Sequence, residues 1–339
     1  MIDVRELIDS AEVIGHLDEM TEEEWMEQRR QGIGGSDAGA IMQASKWSSP
    51  LSVWMEKTGR STPEALDSEA VNFGKDMEPL IRHELFPKYL QKNYEAIATV
   101  IDPMYMWRNK NRPWQQANVD GWVFFEEPIW GGSLGLAGLE IKTGSSYMLI
   151  EWGGVDGNKV PDSYYWQVQH YMDVFNMQLW IVFGVIGNAR LIRFVPRDQA
   201  HIDEMRESQE RFWAQVRSND PLQAPLPIGT DADAEALFSL GSPQVEDTAT
   251  IEASMAHSYI EAREAEKKAK EDKEYYRQQL LMTLGQCKYG ESIDGHYRVT
   301  HSRFSRTSVD TKTLRRDHPE IISIYETVSE TGRISIKEM

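Results

Sequence analysis

Two short stretches, NVDG at 118–121 and LEIKTG at 139–144, decide how this chain reads. Side chains alternate along a strand, so Glu140 and Lys142 share one face while Ile141 points to the other, toward a core. Between the stretches lies EEPIWGGS at 126–133, a turn-rich connection that predicts a hairpin of strands over 114–125 and 136–142. In a hairpin centred there, position 120 falls opposite 140 or 141, which brings Asp120 beside Glu140. Acidic-x-Lys triplets are common on exposed strands, where a solvated ion pair is their ordinary role. Here the flanking residues are Leu139, Ile141 and the run Trp122-Val123-Phe124-Phe125. Carboxylates on strands this apolar are partly buried and need a cation to be tolerated.

Working outward, Thr21 followed by Glu24, with Glu22 and Glu23 between, predicts a capped helix start. Gly32, Gly34 and Gly35 break that helix, and Ser36-Asp37 can cap a second through Met42. Further helices are expected over 50–57 and 71–91, the latter from Met77, Leu80, Ile81 and Leu85, and over 161–175 and 199–216. Strands are expected over 179–187 and 189–195. Residues 218–249 hold Pro221, Pro225, Pro227 and Pro243, acidic side chains and no Lys or Arg, the texture of a linker. From 251 to 284 runs a charged helical pattern whose Glu and Lys residues can pair along its face, as on a solvated helix. Strand-like pieces and a short helix follow, with a local excess of basic residues over 288–316.

The chain has 339 residues, and 36 basic against 54 acidic side chains give a net charge of −18, which taken whole argues against a polyanionic partner. The single cysteine, Cys287, excludes an internal disulfide framework, a four-cysteine zinc site and a cysteine-ligated iron–sulfur cluster. A reducing cytoplasm is the expected compartment. No apolar run is long enough to span a membrane, and acidic residues stand near the N-terminus where a signal peptide needs a basic then apolar stretch.

Four ordered blocks, WMEQRRQGIGGSDAGAIM (25–42), FGKDMEPLIRHEL (73–85), NVDG with LEIKTG (118–144) and VPDSYYWQVQHYMDVF (160–175), make the chain resemble the YqaJ-like phage-type recombination exonucleases. These are relatives of lambda exonuclease within the PD-(D/E)xK nuclease superfamily. The resemblance implies an α/β fold, a restriction-endonuclease-like core with a mixed central sheet flanked by helices, followed by an α+β C-terminal extension. It implies that Asp120 and Glu140 bind metal with the Ile141 backbone carbonyl, that Glu78 helps to hold a second ion, and that Lys142 is the catalytic lysine. Two Mg²⁺ ions are expected, with Mn²⁺ able to substitute; bound metal lowers the pKa of its water and neutralises phosphate. Arg29, Ser36 and Gln167 match a pocket for the 5′-phosphate of the degraded strand, Arg29 being favoured over Arg30 by its spacing from Trp25. Asn118 stands where lambda exonuclease has a pocket serine, and it reaches differently.

By the same resemblance the chain degrades linear double-stranded DNA 5′→3′ to leave 3′ single-stranded overhangs. It is expected to act as a homotrimeric ring with a single-strand annealing protein (RecT/Redβ-like) in phage or prophage recombination, and no membrane partner is expected. The domains expected are a nuclease over 1–217, a linker over 218–249 and an extension over 250–339. Alternatives are a RecB-like or Cas4-like DNA nuclease of other polarity and a catalytically silent module that binds DNA ends or a partner. The intact Asp120, Glu140 and Lys142 argue against the silent module.

Overall fold

The computed structural model describes residues 2–61, 69–125, 135–220, 223–225, 250–302 and 311–325. The connection at 126–133, most of 218–249 and the last strand-like piece at 333–336 lie outside the described residues. The chain divides into two compact units, Met1–Ser242 and Pro243–Met339.

The first unit is built on a five-stranded sheet. Its strands are β2 (Ala98–Ile101), β5 (Gly121–Phe125), β6 (Leu136–Gly144), β7 (Leu179–Ile186) and β8 (Ala189–Pro196), in spatial order β2-β5-β6-β7-β8. All neighbours are antiparallel except β6 and β7, whose parallel register sets Glu140 opposite Val182. A parallel pair needs a crossover. Helix α6 (Asp162–Phe175) supplies it, packing Val168, Met172 and Phe175 with Trp122, Trp180 and Val182 in one core layer. The other face of the sheet carries Val123, Leu139, Ile141, Ile181 and Phe183 in a second layer with Ile81, Phe86 and Leu90. Layers on both faces explain why β7 reads as an apolar run, while β6 alternates only from Glu140 onward. Gly138 is required by this packing: a Cβ there would stand 2.2 Å from the Trp180 ring.

Around this core stand α1 (Glu22–Arg30), α2 (Gly35–Ile41), α3 (Pro50–Lys57), α4 (Glu69–Leu80), α5 (Phe86–Tyr94) and α7 (Gln199–Ser218). The Thr21–Glu24 capping box forms in full. In a small sheet of β1 (Ala11–His16), β3 (Tyr105–Asn109) and β4 (Gln116–Ala117), β1 and β3 were not foreseen, nor was β2, and the strand expected over 114–125 is split between β4 here and β5 of the main sheet. The long helix expected over 71–91 is instead α4, a π-helical turn at Ile81–Leu85, and α5. Its core-facing residues Ile81 and Phe86 stand five apart, one step more than an α-turn allows, and the Phe86 N–H reaches back to the Ile81 carbonyl. Pro87 lacks the N–H that an α-turn would use there, so the wider turn costs little. Leu80, expected in the core, is 45% exposed.

The second unit holds α8 (Ala253–Leu284), a hairpin of β9 (Tyr289–Glu291) and β10 (Arg298–Thr300), and helices α9 (Thr311–Asp317) and α10 (Pro319–Tyr325). Helix α8 buries only Leu284, as its charge pattern predicts for a solvated helix. Among the described residues no helix is long and apolar enough to cross a membrane.

Candidate active site

The last paired residues of β5 and β6 are Gly121 and Leu139, so the next step along both strands sets Asp120 beside Glu140. The Ile141 N–H donates to Asp120 Oδ2 at 2.7 Å, while the Ile141 side chain lies in the core. Lys142 Nζ stands 2.5 Å from Glu140 Oε1, which also accepts from Gln167 Nε2 at 2.7 Å. Lys142 lies 4.7 Å above the Tyr164 ring. Glu140 Oε2 is buried with no hydrogen-bond partner among the described residues.

Burial, then the Asp120 charge, pushes the Glu140 carboxyl up to about 8. Burial likewise raises Asp120. Burial alone would pull the Lys142 ammonium down, but Glu140 and Asp120 hold it above the ordinary lysine value. The positive charge therefore persists at neutral pH, while the two carboxylates lack enough of it.

Glu78 does not occupy a first helical turn. Pro79 sits inside α4, and Glu78 lies near that helix's C-terminal end, where the π-turn follows. Burial and then the Asp120 charge raise its carboxyl to about 7, which puts it within electrostatic reach of the pair. Arg82 pairs with Glu78 and donates from Nε to the Asp120 carbonyl at 2.5 Å and from Nη1 to Asp102 at 3.2 Å.

At the other end, Arg29 donates to Ser36 Oγ at 3.0 Å and Asp37 Oδ1 at 3.2 Å, and through Nε to Glu56 at 3.3 Å. Its guanidinium lies 5.5 Å from the Trp25 ring. Arg30 turns away and pairs with Glu27. Ser36 is not the helix cap. Gly34 holds that position, and its N–H donates to Asp37 Oδ2 at 2.8 Å, which leaves the Ser36 hydroxyl to Arg29. The Asn118 side chain, oriented to satisfy its neighbours, accepts from Trp25 Nε1 at 2.9 Å and donates to the Ala117 carbonyl at 3.1 Å. Its backbone carbonyl accepts from the Tyr171 hydroxyl at 2.5 Å, and Gln167 Nε2 lies 3.1 Å from that hydroxyl.

One cavity of about 220 Å³ joins these ends, lined by Arg29, Ser36, Asn118, Asp120, Glu140, Lys142 and Gln167 among others. Glu78 and Ile141 do not line it. A larger surface depression of about 920 Å³ beside α1 is lined by Glu19, Glu23, Glu24 and Glu27, a poor setting for an anion. Among the described residues no three Asp, Glu, His or Cys side chains form a ready metal cage. The donor chemistry of the cavity nevertheless fits a hard divalent cation. Two buried carboxylates face one lysine, and one of their oxygens has no partner.

Sequence reasoning passed over Arg82 and Lys57, gave Asp37 only a capping role, and did not single out Tyr171. The signal for Tyr171 was Gly35, where a Cβ would stand 2.4 Å from the Tyr171 ring.

The YqaJ-like viral recombinase domain family matches residues 24–178, which contain every residue of this cavity. The "Uncharacterized protein YqaJ" of Bacillus subtilis (strain 168) is 28% identical over 97% of this chain and 98% of its own length. An alkaline exonuclease (LHK-Exo) crystal structure from Laribacter hongkongensis is 21% identical, covers 58% of this chain and 93% of its own, and superposes with a TM-score of 0.43. The same exonuclease in complex with dAMP gives 20% and 0.42. The four sequence blocks and the cavity they build all fall within the matched segment, so that over residues 24–178 the chain is similar to the YqaJ-like viral recombinase domain family.

Proposed function

We propose that the chain is a divalent-metal-dependent exonuclease that degrades one strand of linear double-stranded DNA 5′→3′. The observation that carries this reading is the single cavity with a cation-deficient carboxylate pair and a charged lysine at one end and an arginine–serine seat at the other. Arg29 offers a planar fork to phosphate oxygens, with Ser36 and Gln167 as further hydrogen-bonding groups. Asp120 and Glu140 would hold Mg²⁺ or Mn²⁺, with the Ile141 carbonyl, and Glu78 would serve a second ion. Bound there, the metal supplies an acidified water and neutralises the phosphate. Lys142 keeps its proton and sets a fixed positive charge beside the phosphorus as negative charge builds on its oxygens.

Hydrolysis at the first internal phosphodiester forms a water–phosphorus bond and breaks the bond to the 3′-oxygen of the terminal nucleotide. The remaining strand then begins with a new 5′-phosphate, so each product presents the group that the arginine–serine seat takes. Successive cuts leave a 3′ single-stranded overhang, suited to an annealing protein of the RecT/Redβ kind, in recombination of phage or prophage DNA in a bacterial cytoplasm. Closure of three copies into a ring would keep the enzyme on its duplex.

The test uses linear duplex DNA labelled at either end, with Mg²⁺ or EDTA. Release of the 5′ label first, abolished by EDTA, is expected. Activity that persists in EDTA sinks the metal mechanism, release of the 3′ label first points to RecB-like polarity, and no release at all points to a silent end-binding module.

A further inference from the structure

Behind Arg29 lies a buried charge cluster that no part of the proposed chemistry uses. The side chain of Lys57, the last residue of α3, is fully buried, and that of Asp37 is 3% exposed. Lys57 Nζ stands 2.8 Å from Asp37 Oδ2 and donates to the Arg29 carbonyl at 3.0 Å. That carbonyl belongs to the last turn of α1, where helical carbonyls lack intrahelical partners. One ammonium thus ties the end of α1 to the start of α2 beneath the Gln31–Gly34 connection. Asp37 in turn passes its other oxygen, Oδ1, to the Arg29 guanidinium. Neither Lys57 nor Asp37 lines the cavity.

The charge count gives this arrangement its meaning. Arg29 and Lys57 contribute two positive charges, Asp37 and Glu56 two negative ones, and the cluster is neutral. Without Lys57 the same groups would carry a net −1, held out of water directly behind the guanidinium. An anion entering the cavity would then meet an arginine already over-neutralised by its own carboxylates.

We propose that Lys57 is a positioning residue for the anion seat: by neutralising Asp37 it lets that carboxylate aim Arg29 without cancelling its charge toward a terminal phosphate. The inference rests on the phosphate role proposed for Arg29 and adds the residue that makes the role electrostatically possible.

The experiment measures binding of blunt duplexes bearing a 5′-phosphate or a 5′-hydroxyl, in EDTA so that no cutting occurs, by fluorescence anisotropy. Lys57→Met is expected to reduce the preference for the phosphorylated end by about tenfold or more. The double variant Lys57→Met with Asp37→Asn, which restores neutrality, is expected to recover the preference to within about threefold of the unaltered protein. A purely structural lysine would lower the melting temperature without moving this ratio. A folded Lys57→Met protein with an unaltered ratio overturns the proposal. If Lys57→Met does not fold, the double variant decides, and loss of the preference there overturns it. Equal binding of both ends by the unaltered protein refutes the phosphate seat itself, and the role of Lys57 with it. That result is separable from the others because it appears before any substitution is made.

Discussion

Asp37 and Glu140 are carboxylates buried almost equally, 3% and 1% exposed, yet they are driven in opposite directions. Burial would raise Asp37, but Lys57 and Arg29 together pull it down to about 2. Glu140 shares its lysine with Asp120, and burial with mutual repulsion carries it up to about 8. What separates them is the number of cations within reach, not depth. At the arginine end two cations meet two carboxylates, Asp37 and Glu56, and the charges balance; at the other end Lys142 lies against both Asp120 and Glu140, while Arg82 is paired with Glu78 and Asp102. A protein that compensates buried charge fully in one place and leaves it short in another has left room for a cation from outside, and that is the strongest physical ground for placing metal at Asp120 and Glu140.

The largest effect should come from removing the cation the poor end does possess. Lys142→Ala is expected to slow hydrolysis by about a thousandfold, measured as label released from linear duplex in Mg²⁺. A fully active variant would break the assignment. Next, Asp37→Ala strands a buried ammonium at the rich end and should cost about 3 kcal/mol of stability, read from urea denaturation. The same carboxylate predicts acid lability. Its folded pKa is depressed, so its contribution is complete above the unfolded value near 3.8 and is lost as pH falls toward about 2.

Smaller and opposite in sign, Glu140→Gln relieves the cation-poor end. It should abolish metal-dependent activity yet raise the stability of the metal-free protein by about 1 kcal/mol, seen as a higher melting temperature in EDTA. The mildest prediction concerns pH. A raised carboxyl binds its proton more tightly when folded, so metal-free stability should decline as pH rises from near 4.5 toward about 8. Added Mg²⁺ should therefore raise the melting temperature more at pH 8 than at pH 6. Equal shifts at both would count against cation deficiency.

How far the sequence foretold this site follows from what each residue depends on. Asp120, Glu140 and Lys142 were legible because strand alternation and one hairpin suffice to bring them together. Arg29 came from the family resemblance, its spacing to Trp25 favouring it over Arg30, and the Thr21–Glu24 cap from local hydrogen bonding alone. Ser36 came from the family resemblance and lines the cavity beside Arg29, but the helix cap also expected of it belongs to Gly34 and Asp37. Lys57 and Arg82 were invisible, since a lysine ending one helix and an arginine within another look like surface charge until tertiary packing buries them. Whole-chain charge is a poor guide to a site for a related reason. A net −18 averages over the chain and says nothing about a cavity in which a few cations are held in place.

The π-turn at Ile81–Leu85 bears on how this segment can vary in length. A single residue inserted into a helix rotates everything beyond it by about 100°, which ordinarily breaks either the part before or the part after. Here the extra residue sits between Glu78, whose partner Arg82 also reaches the Asp120 carbonyl, and Phe86 and Leu90, which serve the core. Deleting one residue from this turn would regularise the helix, yet it would swing one of those sets out of place. Relatives that shorten the segment would therefore have to move the acid or rebuild the core, so chain length here should be held as tightly as residue identity.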